Sequence, residues 1–212
     1  MKLLDDLAEA LIRGDHRRVG ELTRQAIGES LPPKTILDGG LLAGMRVVGE
    51  RFRVREIFLP EVLMAARAMY AGMEPLEPLL VAEGVASAGK VVLATVRGDL
   101  HDIGKNLVGI MLRGAGFEVV DLGFDVAPAA IVRAAREHGA RVIGMSALLT
   151  TTMPAMREVV DLLRDEKLHG DVRTVVGGAP LSEEYARSIG ADAYGADAYS
   201  AVEVVKRLVG AA

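Results

Sequence analysis

Cysteine is missing from all 212 positions, which excludes disulfides, thiolate catalysis and cysteine-ligated zinc and fits a reducing cytoplasm. An excess of positive charge is missing as well: 25 Lys plus Arg stand against 29 Asp plus Glu, a net charge of −4. That balance gives no reason to expect nucleic acid or an anionic membrane as a partner. No stretch approaches the ~18 uninterrupted apolar residues of a membrane-spanning helix. The opening MKLLDDLAEALIRGD turns acidic at once and lacks the basic start and apolar run of a signal peptide. Internal repeats and low-complexity tracts are absent too. What remains is a composition 50% apolar and 25% charged, that of a globular chain able to bury a sizeable core as one large domain or two small ones.

Residues 1 to about 86 read as helix throughout. Leu3, Leu4, Leu7, Leu11 and Ile12 recur at helical spacing up to Gly14. Asp15 is placed to cap the next helix, with Val19, Leu22 and Ala26 inward. Pro32-Pro33 open a third, where a missing N–H costs nothing, and its apolar face uses Ile36, Leu37, Leu41, Met45 and Val48. A fourth starts near Pro60, with Val62, Leu63, Ala66, Met69 and Met73 inward and Met64 also read as helix core. Short loops between four helices predict a small antiparallel bundle over 1–86.

The small, polar stretch from Gly84 to Lys90 predicts a domain boundary, with a second domain over 87–212. Beyond it strands and helices alternate. Strands are expected at Val91–Val96, Glu118–Leu122, Val142–Ser146, Thr174–Val176 and Ala191–Tyr194. Helices are expected near 103–115, 128–138, 153–166, 181–188 and 198–209. Five such units imply an α/β fold with a doubly wound, five-stranded parallel sheet, flavodoxin- or Rossmann-like.

The first strand runs into a polar turn, Gly98-Asp99-Leu100-His101-Asp102, before Ile103 opens a helix. Ligands in such folds sit at the carboxyl ends of the strands, where this turn must lie. The turn is not a phosphate loop: five residues separate Gly98 from Gly104, and Asn106 stands where a magnesium-binding Ser or Thr belongs. No G-x-G-x-x-G occurs either. Taken alone, Asp99 and His101 would be a helix cap and a turn histidine. Three further loops at the same edge argue for more: Ser146 through Thr152, Gly177-Gly178-Ala179-Pro180, and Gly195-Ala196-Asp197-Ala198. Small and hydroxylated residues there leave a slot for an elongated polar ligand.

Gly98-Asp99-Leu100-His101-Asp102-Ile103-Gly104, then Ser146-x-Leu148, then Gly177-Gly178, resemble the D-x-H-x-x-G…S-x-L…G-G signature of cobalamin-binding domains. Gly44-Met45, Val48-Gly49-Glu50, Phe52 and Phe58-Leu59-Pro60 resemble the helical cap of the methionine synthase family. Together they cover most of the chain, which resembles a corrinoid protein of a methyltransferase system.

That resemblance implies a cobalamin or related corrinoid cofactor, with His101 ligating cobalt from below in place of the cofactor's own base. Asp99 would accept the other ring N–H. Thr152 would complete the relay, at a position where the family usually has Ser. Ser146, Thr150, Gly177 and Gly178 would line the slot for the displaced nucleotide tail. Phe52 and Leu59 would cover the upper face, and Asp38 stands where close family members often have Glu. The implied function is a methyl carrier: cobalt(I) accepts a methyl group from a substrate methyltransferase, and methylcobalamin hands it to a thiol or tetrahydrofolate on an acceptor methyltransferase. A reductive activator and a homo-oligomer are further partners left open. So are the methyl donor (methanol, methylamines, methoxylated aromatics or betaines) and two rival readings, a cobalamin sensor and the small subunit of an adenosylcobalamin mutase.

Overall fold

The computed structural model of the protein describes residues 2–85 and 87–210. Ala86, in the expected boundary stretch, and residues 211–212 lie outside the described residues. The chain forms two compact units, Met1–Ser87 with Gly114–Gly116, and Ala88–Arg113 with Phe117–Ala212.

The first unit is helical. Helix α1 (Lys2–Ile12) ends at Gly14, whose φ of 71° suits a residue without a Cβ. Helix α2 (His16–Gly28) starts on Asp15, whose carboxylate accepts from the Arg18 N–H at 3.0 Å. The third expected helix is one run of three parts: α3 (Pro33–Ile36), a π-helical turn (Leu37–Leu42) and α4 (Ala43–Arg53). Close packing on α1 accompanies the wider turn. A Cβ on Gly40 would meet Leu7 Cδ2 at 2.4 Å, and one on Gly44 would meet the Ala8 carbonyl oxygen at 3.0 Å. Helix α5 (Leu59–Ala82) is longer than its spacing suggests, running through Pro75 and Pro78. Glu61 at its start accepts from the Phe58 N–H at 3.0 Å.

The buried face of α5 uses Val62, Ala65, Ala66, Ala68, Met69, Gly72, Leu76 and Leu80. Leu63 and Met64, both expected inward, are exposed, and Met73 is half-buried. The run of small alanines carries the close contact, so the two larger neighbours turn outward.

The second unit is a parallel sheet of order β2-β1-β3-β4-β5, from β1 (Lys90–Thr95), β2 (Glu118–Asp121), β3 (Val142–Ser146), β4 (Arg173–Gly177) and β5 (Ala193–Gly195). Its helices are α6 (Ile103–Gly114), α7 (Pro128–His138), α8 (Pro154–Asp165), α9 (Glu183–Ile189) and α10 (Ala198–Val209). Strands β1 and β3 are buried on both faces, as their unbroken apolar runs require. Helices α7, α8 and α9 pack Ile131, Val132, Met156, Val159, Val160, Leu163 and Ile189 on one face, against Val92, Ala94, Ile143, Met145 and Val176.

The register sets up the functional edge. Thr95 pairs with Ser146, Ser146 with Gly177, and Gly177 with Gly195. These last residues of four adjacent strands form one row, and the row crosses the point between β1 and β3 where the strand order reverses.

Exposure separates leucines that periodicity alone treats alike. Leu11→Ala removes a side chain with 0% exposure and is expected to cost about 2–5 kcal/mol. Leu63→Ala, at 46% exposure, should change stability by less than about 0.5 kcal/mol. Chemical denaturation of the two variants checks the assignment, and equal losses would return Leu63 to the core.

Candidate functional site

The site is built around a carboxylate that water does not reach. Asp99 has 0% side-chain exposure, whereas the His101 side chain beside it is 52% exposed. Gly98, with φ at 82°, turns the chain after β1, and the Asp99 N–H returns to the Val96 carbonyl at 3.1 Å. Asp99 Oδ1 then accepts the His101 backbone N–H at 3.1 Å and lies 2.8 Å from His101 Nδ1.

The other oxygen reaches across to the loop after β3. Oδ2 accepts from the backbone N–H groups of Leu148 at 2.7 Å and Leu149 at 3.1 Å, and from the Thr152 hydroxyl at 2.8 Å. Burial pushes the Asp99 carboxyl up and is the largest single influence. The bonds from Leu148 N–H, the His101 ring and backbone, and the Thr152 hydroxyl together outweigh it and hold the group well below the usual carboxylate range. Asp99 is therefore an anion and can only accept. The proton of the shared bond sits on His101 Nδ1, and no hydrogen bond among the described residues engages Nε2.

Other residues hold the turn. Thr95, fully buried, donates its hydroxyl to the His101 carbonyl at 3.2 Å. Lys105, with 3% side-chain exposure, places its ammonium 2.6 Å from both Asp121 oxygens and 2.6 Å from Asn106 Oδ1. Asn106 in turn donates to Asp102 at 3.0 Å. The lysine that a phosphate loop would offer to a ligand is thus neutralised within the fold.

The remaining expected residues fall in two places. Leu100 and Ile103, beside His101 in the sequence, and Leu148, whose N–H reaches Asp99, are exposed apolar side chains, as are Leu149 and Phe124 in the loops after β3 and β2. A Cβ on Gly104 would enter open space, so no contact within the chain demands glycine there. Ser146 and Gly177 are neighbours in the row at the strand ends, and Thr150 is exposed in the loop between Ser146 and α8. Gly178 packs against the loop after β3: a Cβ there would lie 1.9 Å from the Ala147 carbonyl oxygen, at a φ of 134°. Phe52 and Leu59 belong to the helical unit, at the end of α4 and the start of α5, and both are half-buried.

Sequence reasoning missed Lys105, Asp121, Asp125 and Tyr185. Tyr185 donates its hydroxyl to the Met153 carbonyl at 2.9 Å, bracing the residue after Thr152. No spacing signals such long-range partners. A lysine amid acidic residues was the one available sign for Lys105.

A family model described as a B12 binding domain matches residues 89–203, and a second, also described as a B12 binding domain, matches residues 3–77. The chain belongs to the B12-binding corrinoid proteins. It is 43% identical to a corrinoid protein of Desulfitobacterium hafniense (strain Y51), covering 99% of both chains. It is 46% identical to dimethylamine corrinoid protein 1 of Methanosarcina acetivorans, covering 98% of both. Among solved structures it resembles a chain of the methanol:cobalamin methyltransferase complex of Methanosarcina barkeri. That match has a TM-score of 0.88 and 32% identity, over 100% of this chain and 81% of that one. The fold class expected from sequence, a helical N-terminal domain before a five-stranded B12-binding domain, is that of this family.

Two carboxylates flank His101 in this corrinoid protein: Asp99 is buried and accepts from two loops, whereas Asp102 accepts from the Asn106 side chain at the start of α6. Asp99→Asn must turn an NH₂ group toward existing donors, and should cost the apoprotein about 2–3 kcal/mol. Asp102→Asn should cost less than about 0.5 kcal/mol. Denaturation midpoints compare them, and equal costs would mean that Asp99 anchors nothing.

Proposed function

We propose that the chain is a methyl carrier, receiving a methyl group from a substrate methyltransferase and delivering it to an acceptor methyltransferase whose final acceptor is a thiol or tetrahydrofolate. One observation carries the reading: a ring locked by a buried anion through Nδ1, with its second nitrogen unengaged, at the switch point of the sheet. A lone imidazole holds a bare metal ion poorly. It would suit a cobalt that a macrocycle already holds.

The residues fit such a group. Leu100, Ile103, Leu148, Leu149 and Phe124 are exposed apolar side chains at the ends of β1, β2 and β3, the chemistry that the face of a large ring calls for. Gly104 leaves room for close approach, and Gly178 tolerates no side chain. In this reading His101 is the metal ligand and Asp99 fixes its tautomer. Thr152 holds Asp99 in place. Gly98, Asp102 and Ile103 shape the turn, and Ser146, Thr150, Gly177 and Gly178 line the slot for the cofactor's tail. In this reading the helical domain, residues 1–86, serves as the cap that shields the cofactor, with Phe52 and Leu59 as its shielding side chains. When bound, the corrinoid supplies a cobalt centre that can accept and release a methyl group. The chain supplies ligation, shelter from water and docking.

Dimethylamine is named for one relative and methanol for one structural neighbour. We place this chain in the same broad class, serving a small methylated amine or alcohol, in the cytoplasm. The test uses a chemical methyl donor. Holoprotein reduced in the dark and treated with ¹⁴C-methyl iodide should retain about one label per chain, as one cobalt ligand allows. The label should pass to a thiol or tetrahydrofolate on addition of extract from the source cells. Label that stays on the chain in the presence of extract would favour a sensor over a carrier.

A further inference from the structure

The His101 turn is gripped by a residue that lies outside every motif of the site. Asp125 follows β2 and has a φ of 53°, in the left-handed region. Non-glycine residues are uncommon there, although Asp is among those that tolerate it. Such a conformation persists only where its surroundings over-determine it, and here they do. Asp125 Oδ1 accepts the Gly98 N–H at 2.7 Å, and the Asp125 N–H donates to the Asp99 carbonyl at 3.0 Å. The next residue, Val126, donates its N–H to the Thr95 carbonyl at 3.1 Å and forms a parallel bridge with Val96. The loop after β2 is thereby fastened along the end of β1, and Asp125 holds both ends of the Gly98–Asp99 dipeptide.

Asp99 is thus fixed twice. Leu148, Leu149 and Thr152 hold its side chain, and Asp125 holds its backbone. The first set decides where the carboxylate sits. The second decides how the chain leaves Asp99 toward Leu100 and His101, and so whether the imidazole projects from the turn with Nε2 outward.

We propose that Asp125 is a positioning residue for the cobalt ligand, its carboxylate clamping Gly98 so that His101 is presented to the corrinoid. The inference rests on His101 being that ligand. Asp125 touches neither the imidazole nor the cofactor's place, and acts only through the backbone of the turn.

The test separates the clamp from the conformation. Asp125→Gly removes the carboxylate but accepts the left-handed φ freely, whereas Asp125→Asn keeps an acceptor oxygen and tolerates the same φ. Each variant and the wild type are loaded with cobalamin and reduced to cobalt(II), and the EPR spectrum is read per bound cobalt. Wild type should show splitting from one nitrogen that changes on ¹⁵N labelling of the protein. Asp125→Gly should lower the share of cobalt with that signature by about fivefold, the weight of one hydrogen bond. Asp125→Asn should restore it. Asp125→Ser, too short to reach Gly98, is read in the same way if glycine unfolds the loop. A full signature in Asp125→Gly or Asp125→Ser, with wild type behaving as expected, would overturn the clamp alone. A wild-type spectrum unmoved by ¹⁵N would overturn the ligand assignment, and the clamp with it.

Discussion

Everything at the strand ends depends on keeping one carboxylate ionised where water cannot reach it. Moving an isolated carboxylate out of water costs several kcal/mol or more, and Asp99 is fully buried. Five donors offset that cost: two backbone groups and a hydroxyl from the loop after β3, and the backbone and ring of His101. Two carboxylate oxygens offer about four lone-pair directions, so the demand already exceeds the supply. No acceptor position is left for a proton, and Asp99 serves as a fixed anion rather than a proton carrier. The loop after β3, the turn after β1 and the ring orientation are therefore a single unit.

A second charge arrangement supports the first from below. Lys105 is almost fully buried, and Asp121 at the end of β2 takes up its charge. Through Asn106 the same ammonium connects to Asp102, next to His101. Asp121 also accepts the Gly123 N–H at 2.9 Å, and the Gly123 carbonyl accepts from Thr95. Acidic side chains 99, 102, 121 and 125 thus surround one turn, each with a different mechanical task. Partners within the chain account for them, and none has to be assigned to a ligand.

Much of this was legible in the sequence, for a physical reason. A parallel sheet buried on both faces needs unbroken apolar strands, and the runs at Val91–Thr95 and Val142–Met145 are of that kind. The loops after them carry the small and hydroxylated residues that meet in one row, because parallel register aligns the strand ends. The His101–Asp99 pair is local, two residues apart, so its contact could be read from spacing. What failed was what depends on tertiary neighbours. Leu63 and Met64 match a helical stripe, but α5 packs through its alanines and leaves both exposed. The π-helical turn at Leu37–Leu42 coincides with the close approach of Gly40 to Leu7, a tertiary contact that no local pattern encodes. Lys105 pairs with a residue sixteen positions away, and Asp125 with one twenty-seven away.

The donors to Asp99 all come from the chain itself, and this decides how the site relates to its cofactor. In a zinc finger the metal supplies the folding energy, and the apo site has no fixed form. Here the anion, its hydroxyl and amide donors, and the imidazole ring are joined by hydrogen bonds within the chain. If His101 is the metal ligand, as proposed, these bonds would fix the ring, so little conformational freedom would have to be lost in forming the bond. In that reading the turn that carries the imidazole would stay held by Asp99, Thr95 and the loop after β2 whether or not the ring is bound. A ligand that could be made and unmade without unfolding its support is the arrangement the proposed carrier role would require. It follows from burying the carboxylate rather than the histidine.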